Sequence, residues 1–87
     1  MDYIEKFYDL LEEYKDKFKL LSHMHSGYGQ TMIKVKSDGA LIMHIVDEDY
    51  DNCFRRAYED LEYYIRTRTE RINTIIADFK TKMQEEA

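Results

Sequence analysis

The chain has no proline, no tryptophan, one cysteine and only three glycines in 87 residues. Each shortage excludes something. A single cysteine forms no internal disulfide, which removes the disulfide-stapled scaffolds common among small secreted proteins. No apolar run approaches the ~18 residues of a membrane span, and no basic stretch leads into an apolar one as in a secretion signal. A cytoplasmic location with no membrane partner is therefore the expectation. Cationic excess is missing too: thirteen Lys and Arg face eighteen Asp and Glu, for a net charge of −5. That balance argues against nucleic acid as a direct partner.

Signatures of catalysis are also missing. There is no nucleophile elbow, phosphate-cradling glycine loop, metalloprotease motif or metal-binding cysteine pair. A chain this short barely encloses a cleft, so no enzymatic activity and no cofactor are expected. What is present is a hydrophobic fraction of 44%, enough for a folded rather than a disordered chain, and its length fits one domain, residues 1–87.

Hydrophobic periodicity divides the chain. Ile4, Phe7, Leu11, Tyr14, Phe18 and Leu21 step by three and four, which is one stripe of an amphipathic helix. The spacing predicts a helix over 2–22, with Asp2 and Glu5 as a capping pair at its start. Residues 23–30 hold two of the three glycines and read as an irregular loop. Residues 31–46 are rich in β-branched and aliphatic side chains, split by Ser37-Asp38-Gly39, and predict a hairpin. A three-residue turn, pairing residues whose numbers sum to 76, places Thr31, Ile33 and Val35 on one face with Leu41, Met43 and Ile45. A two-residue turn gives a sum of 77 and segregates the lysines less well.

No glycine or proline follows Ala40. Apolar residues recur at helical spacing from Tyr50 to Met83, which predicts one long helix over 49–84. The expected fold is thus α+β: helix, two-stranded antiparallel hairpin, long helix. The first helix and the hairpin can cover only about half of the long one. Its remaining stripe, Ile72, Ile75, Ile76, Phe79 and Met83, then needs a partner, and a homodimer through these residues is the expectation.

Several clusters carry candidate chemistry. His23, His25 and His44 are imidazoles that suit zinc or nickel, but such a site needs more ligands than this pattern shows, so no metal site is assigned; a metal-responsive regulator remains an alternative. Asp47-Glu48-Asp49-Tyr50-Asp51-Asn52 superficially resembles a calcium loop. It lacks the glycine and glutamate that the sharp turn and bidentate ligand require, because Asn52 and Tyr58 stand there. Helix capping explains these acids. A sharper reading makes Asp47, Glu48, Asp49 and Asp51 an acidic patch that mimics a phosphate backbone.

Arg55, Arg56, Arg66, Arg68 and Arg71 form a basic stretch beside Tyr58, Tyr63 and Tyr64, as an anion or nucleotide site would, with Arg66, Arg68 and Arg71 as its candidate ligands. Glu62, four residues before Arg66, offers an intrahelical pair instead. Tyr28, flanked by glycines, reads as an exposed contact residue, and Cys53, in acidic surroundings, as buried packing.

The functional expectation is a small acidic interaction protein without catalysis. It would occlude another macromolecule, such as a nucleic-acid-binding protein, through Asp47, Glu48, Asp49, Asp51 and Tyr28. Phage- and mobile-element-encoded inhibitors are of this kind. The alternative is a nucleic-acid or nucleotide binder using Arg66, Arg68 and Arg71.

Overall fold

The computed structural model describes residues 2–86, with side chains through Met83. The fold is α+β. Helix α1 (Tyr3–Phe18) is followed by strands β1 (Leu20–Gly27), β2 (Gln30–Ser37) and β3 (Ala40–Asp47) and by the long helix α2 (Tyr50–Glu86). The strands form one antiparallel sheet in the order β1-β2-β3. No helix among the described residues is long and apolar enough to cross a membrane.

The sheet has three strands where the sequence predicts two. The extra one, β1, occupies the end of the expected first helix and most of the expected 23–30 loop. Helix α1 stops at Phe18 because Lys19 turns left-handed (φ 52°), its N–H closing onto the Lys15 carbonyl. Leu21 sits at helical spacing from Phe18 by coincidence: it lies on the open face of the sheet, 63% exposed. The β1–β2 turn is Tyr28-Gly29, both at positive φ (54° and 72°). Such a two-residue turn normally advertises itself by Asn or Asp before Gly; tyrosine there hides it.

The β2–β3 register also differs from expectation. Asp38 and Gly39 are both at positive φ (52° and 83°), so the turn has two residues, not three. Ser37 pairs with Ala40 and Lys36 with Leu41; a bulge then shifts the pairing to Val35 with Met43 and Ile33 with Ile45. The two-residue turn matches the right-handed twist of the strands, and the bulge at Ile42 inserts one residue. Thr31, Ile33, Val35, Met43 and Ile45 consequently share the buried face, while Leu41, expected there, is left exposed.

Both helices lie over that face. Phe7 of α1 rests on Phe54 of α2 at 5.7 Å, and Phe18 meets Tyr64 at 6.1 Å, so the two helices run in the same direction. Phe7, Phe54, Ile33, Leu61, Val35 and Cys53 are the largest fully buried side chains. Each large apolar group of this kind contributes about 1.5–3 kcal/mol when removed from water. Helix α2 is uninterrupted through Arg66–Arg71 and outruns everything packed on it, giving a molecule 62 × 27 × 18 Å across.

Candidate functional site

The acidic junction between β3 and α2 is built by local hydrogen bonding. Asp47 Oδ1 accepts from the Asp49 N–H at 2.8 Å, and Oδ2 accepts from Asn52 Nδ2 at 2.6 Å and Arg56 Nη1 at 3.2 Å. Asp49 Oδ1 accepts from the Asn52 N–H at 2.9 Å, capping α2. The Asp49 amide, then Asn52 and Arg56, hold the Asp47 carboxyl below its ordinary value. Two of the four acids predicted to bind a partner are thus engaged at the helix start, and Glu48 and Asp51 are exposed. Arg55 joins the same end of the helix through Asn52 Oδ1 and Glu59.

The arginines of the second reading separate. Arg68 and Arg71 line a groove of about 370 Å³ with Ile42, Asp60, Tyr63 and Tyr64. Arg66 faces the other side of α2, beside Leu10, Tyr14 and Ile65, with its guanidinium 5.8 Å from the Tyr63 ring centre. None of the three has an ion-pair partner among the described residues. The intrahelical pair expected between Glu62 and Arg66 is not among the ion pairs formed.

The histidines gather differently from expectation. Because β1 is a strand, His23 pairs with Lys34 and Lys34 with His44 across the open face. His23 and His44 are two strands apart, roughly 10 Å at ~4.8 Å per strand, with a lysine between them. His25 lies further along β1, opposite Met32. Among the described residues no group of three or more His, Cys, Asp or Glu is placed to hold a metal ion. Sequence reasoning missed this His–Lys–His row because residues 23–30 read as a loop.

Tyr28 is fully exposed at the β1–β2 turn, held left-handed. Cys53 is buried, its thiol directed at the Thr31 carbonyl (3.5 Å). Burial foremost, and then the charge of Asp47, push its pKa up, which disfavours the thiolate.

A row of exposed apolar side chains runs along α2 itself. Ile72, Ile75, Ile76, Phe79 and Met83 are all exposed, Phe79 by 63%. They continue the face that is buried further back at Phe54, Leu61 and Ile65. Beyond Ile72 no other element of the described chain packs on this arm. No protein-family model, curated protein or solved structure matches the chain.

Proposed function

We propose that this is a non-enzymatic interaction protein whose α2 arm is the partner-binding element. One observation carries the reading: five large apolar side chains stand exposed in a single stripe on a helix that leaves the body of the fold. An exposed stripe of that kind on a soluble chain marks an interaction site. The α+β body fixes the root of the arm, and the arm presents a straight apolar edge, as helix-in-groove recognition requires. The protein would act by occupying the surface it binds, in the manner of a small inhibitor.

The acidic residues Glu48 and Asp51 lie at the opposite end of α2 from the arm. They remain candidates for a secondary contact, as does Tyr28 at its turn. Asp47 and Asp49 are committed to the start of the helix.

Comparative capture tests the reading. The full chain and an Ile76→Asp/Phe79→Asp variant are immobilised side by side and the retained proteins quantified. A partner retained by the first and lost by the second supports the arm as the binding element. Identical retention by both removes the arm from the function.

A second reading has its own observation. Arg68 and Arg71 share a groove with Tyr63, and neither forms an ion pair among the described residues. That arrangement suits an anionic ligand, with Asp60 as an opposing charge. Oligonucleotide binding at low salt that disappears in an Arg68→Ala/Arg71→Ala variant would favour it.

A further inference from the structure

The seam on the arm has flanks of one sign. Ile65, Thr69, Ile72, Ile76, Phe79 and Met83 advance in alternating steps of four and three. That is the seam spacing of a two-stranded coiled coil. At ~3.6 residues per turn, Arg66 and Lys80 border the seam on one side, and Arg68 and Lys82 on the other. Of the acids of this stretch, Glu70 sits beside Arg66 and Thr69 at the root of the arm, next to α1, and Asp78 falls on the far side of the helix. In coiled coils the charges at the flanking positions set the choice of partner. From Ile72 to Met83, a second copy of this arm, parallel or antiparallel, brings Asn73, Ile75, Lys80 and Lys82 to the flanking positions and no carboxylate, so nothing in it answers Lys80 and Lys82.

The fold itself shows that an amphipathic helix fits this face. Within the body, the same face of α2 is packed by the apolar stripe of α1, whose acids Glu5, Asp9, Glu12, Glu13 and Asp16 face solvent and form no ion pair with α2 among the described residues. Helix α1 ends where Phe18 and Lys19 meet Arg68 and Ile72 in a shallow groove. Past that point the same face of α2 goes on bare.

We infer that the arm receives a second amphipathic helix, complementary in charge to its basic flanks, from another protein. That helix is apolar at heptad spacing and acidic at the flanks, and it lies end-on to α1 over Ile72–Met83. The inference rests on the arm being the binding element and adds the partner's charge pattern. It departs from the homodimer expected from the sequence.

The probes are two synthetic peptides of about four heptads, with identical Ile and Leu seams. One carries Glu at every flanking position and the other Lys. Fluorescence anisotropy at low salt reads binding to the full-length protein, with light scattering reading its mass. The expected result is a single-copy mass and binding of the Glu peptide at least about tenfold tighter than the Lys peptide. That preference should invert in a Lys80→Glu/Lys82→Glu variant, whose changes are exposed and leave the fold intact by circular dichroism. Ile76→Asp should abolish binding of both.

Equal binding of the two peptides overturns the charge pattern while leaving the arm as a binding element. Binding of neither overturns both readings. A two-copy mass that falls to one in Ile76→Asp makes a second copy of this chain the occupant, and overturns the inference in that way.

Discussion

Tyr64 of α2 donates its phenolic hydrogen to Ser37 Oγ at 3.0 Å, at the end of β2. Ser37 passes the bond on, donating to the Phe18 carbonyl at 2.8 Å. Three elements are tied at one point: the long helix, the central strand and the last residue of α1. The serine is almost fully buried, so its carbonyl partner has little access to water. Tyr64→Phe should destabilise the fold by about 0.5–1.5 kcal/mol, the net worth of an ordinary hydrogen bond. Ser37→Ala should cost more, about 1–3 kcal/mol, because a buried acceptor is left unpaired. Urea unfolding of the two variants, with unchanged slope, checks the order.

Arm and body should respond oppositely to substitution. Ile76→Asp changes an exposed position and should shift stability by no more than about 0.5 kcal/mol. Leu61→Ala, one face and four turns earlier on the same helix, empties a fully buried site and should cost about 2–5 kcal/mol. Paired thermal melts decide this. A large loss in Ile76→Asp would show that the arm is folded against something in the free protein.

Cys53 should be inert in the native state. Its side chain is buried and its pKa is raised by desolvation, so both access and thiolate population are low. A thiol reagent at neutral pH should modify it only as fast as the fold opens, and fully in denaturant. Rapid stoichiometric modification of the folded protein would contradict the packing described.

Asp47 gives the fold an acid limb. Its folded-state pKa is lowered by the Asp49 amide, then by Asn52 and Arg56. A lowered value means that the contribution is complete above the ordinary aspartate value of 3.8 and is lost as pH falls through the folded value. The stability difference between the native chain and Asp47→Asn should therefore be constant near neutrality and shrink below about pH 4. A difference independent of pH would mean that the carboxylate charge plays no part.

The two turns invite opposite substitutions. Gly39 sits at φ 83° with open space where a Cβ would be, so Gly39→Ala is penalised by backbone strain alone, by about 1 kcal/mol. Tyr28 is a bulky residue held left-handed, a conformation that asparagine adopts more readily. Tyr28→Asn should raise the melting temperature. If the same change weakens binding of the eventual partner, the strained tyrosine is retained for contact.

The parts of this fold that were legible in the sequence are those with one wet face and one dry one. The stripe of α1 from Ile4 to Phe18 and that of α2 from Phe54 to Ile65 read directly as helices. The Asp38-Gly39 turn announced its hairpin. Strand β1 did not, because an edge strand with few buried residues has no clean alternation: Leu20 is buried, yet Met24 on the same face is exposed. Leu21 then fell by chance on the helical stripe and lengthened the wrong element. The bulge at Ile42 was equally invisible, since it leaves the apolar pattern almost unchanged while moving Leu41 to the outside. Individual candidate residues were legible by type but not by grouping. Arg66 stands apart from Arg68 and Arg71, and His23 and His44 flank a lysine, only because strand and helix geometry place them there.

Lys19 ends α1 by a single left-handed residue, and that stop sets how much of α2 is left over. The two helices run side by side in the same direction, so the shorter one acts as a ruler for the longer. Seven helical residues added after Phe18, with a link long enough to return the roughly 10 Å to the start of β1, would carry α1 about two turns further, over Ile72 and toward Ile76. Surface now facing water would become interior, with no change to α2 at all. The reach of the arm is thus encoded in a different segment from the arm itself, and the length of α1 becomes a dial for tuning it.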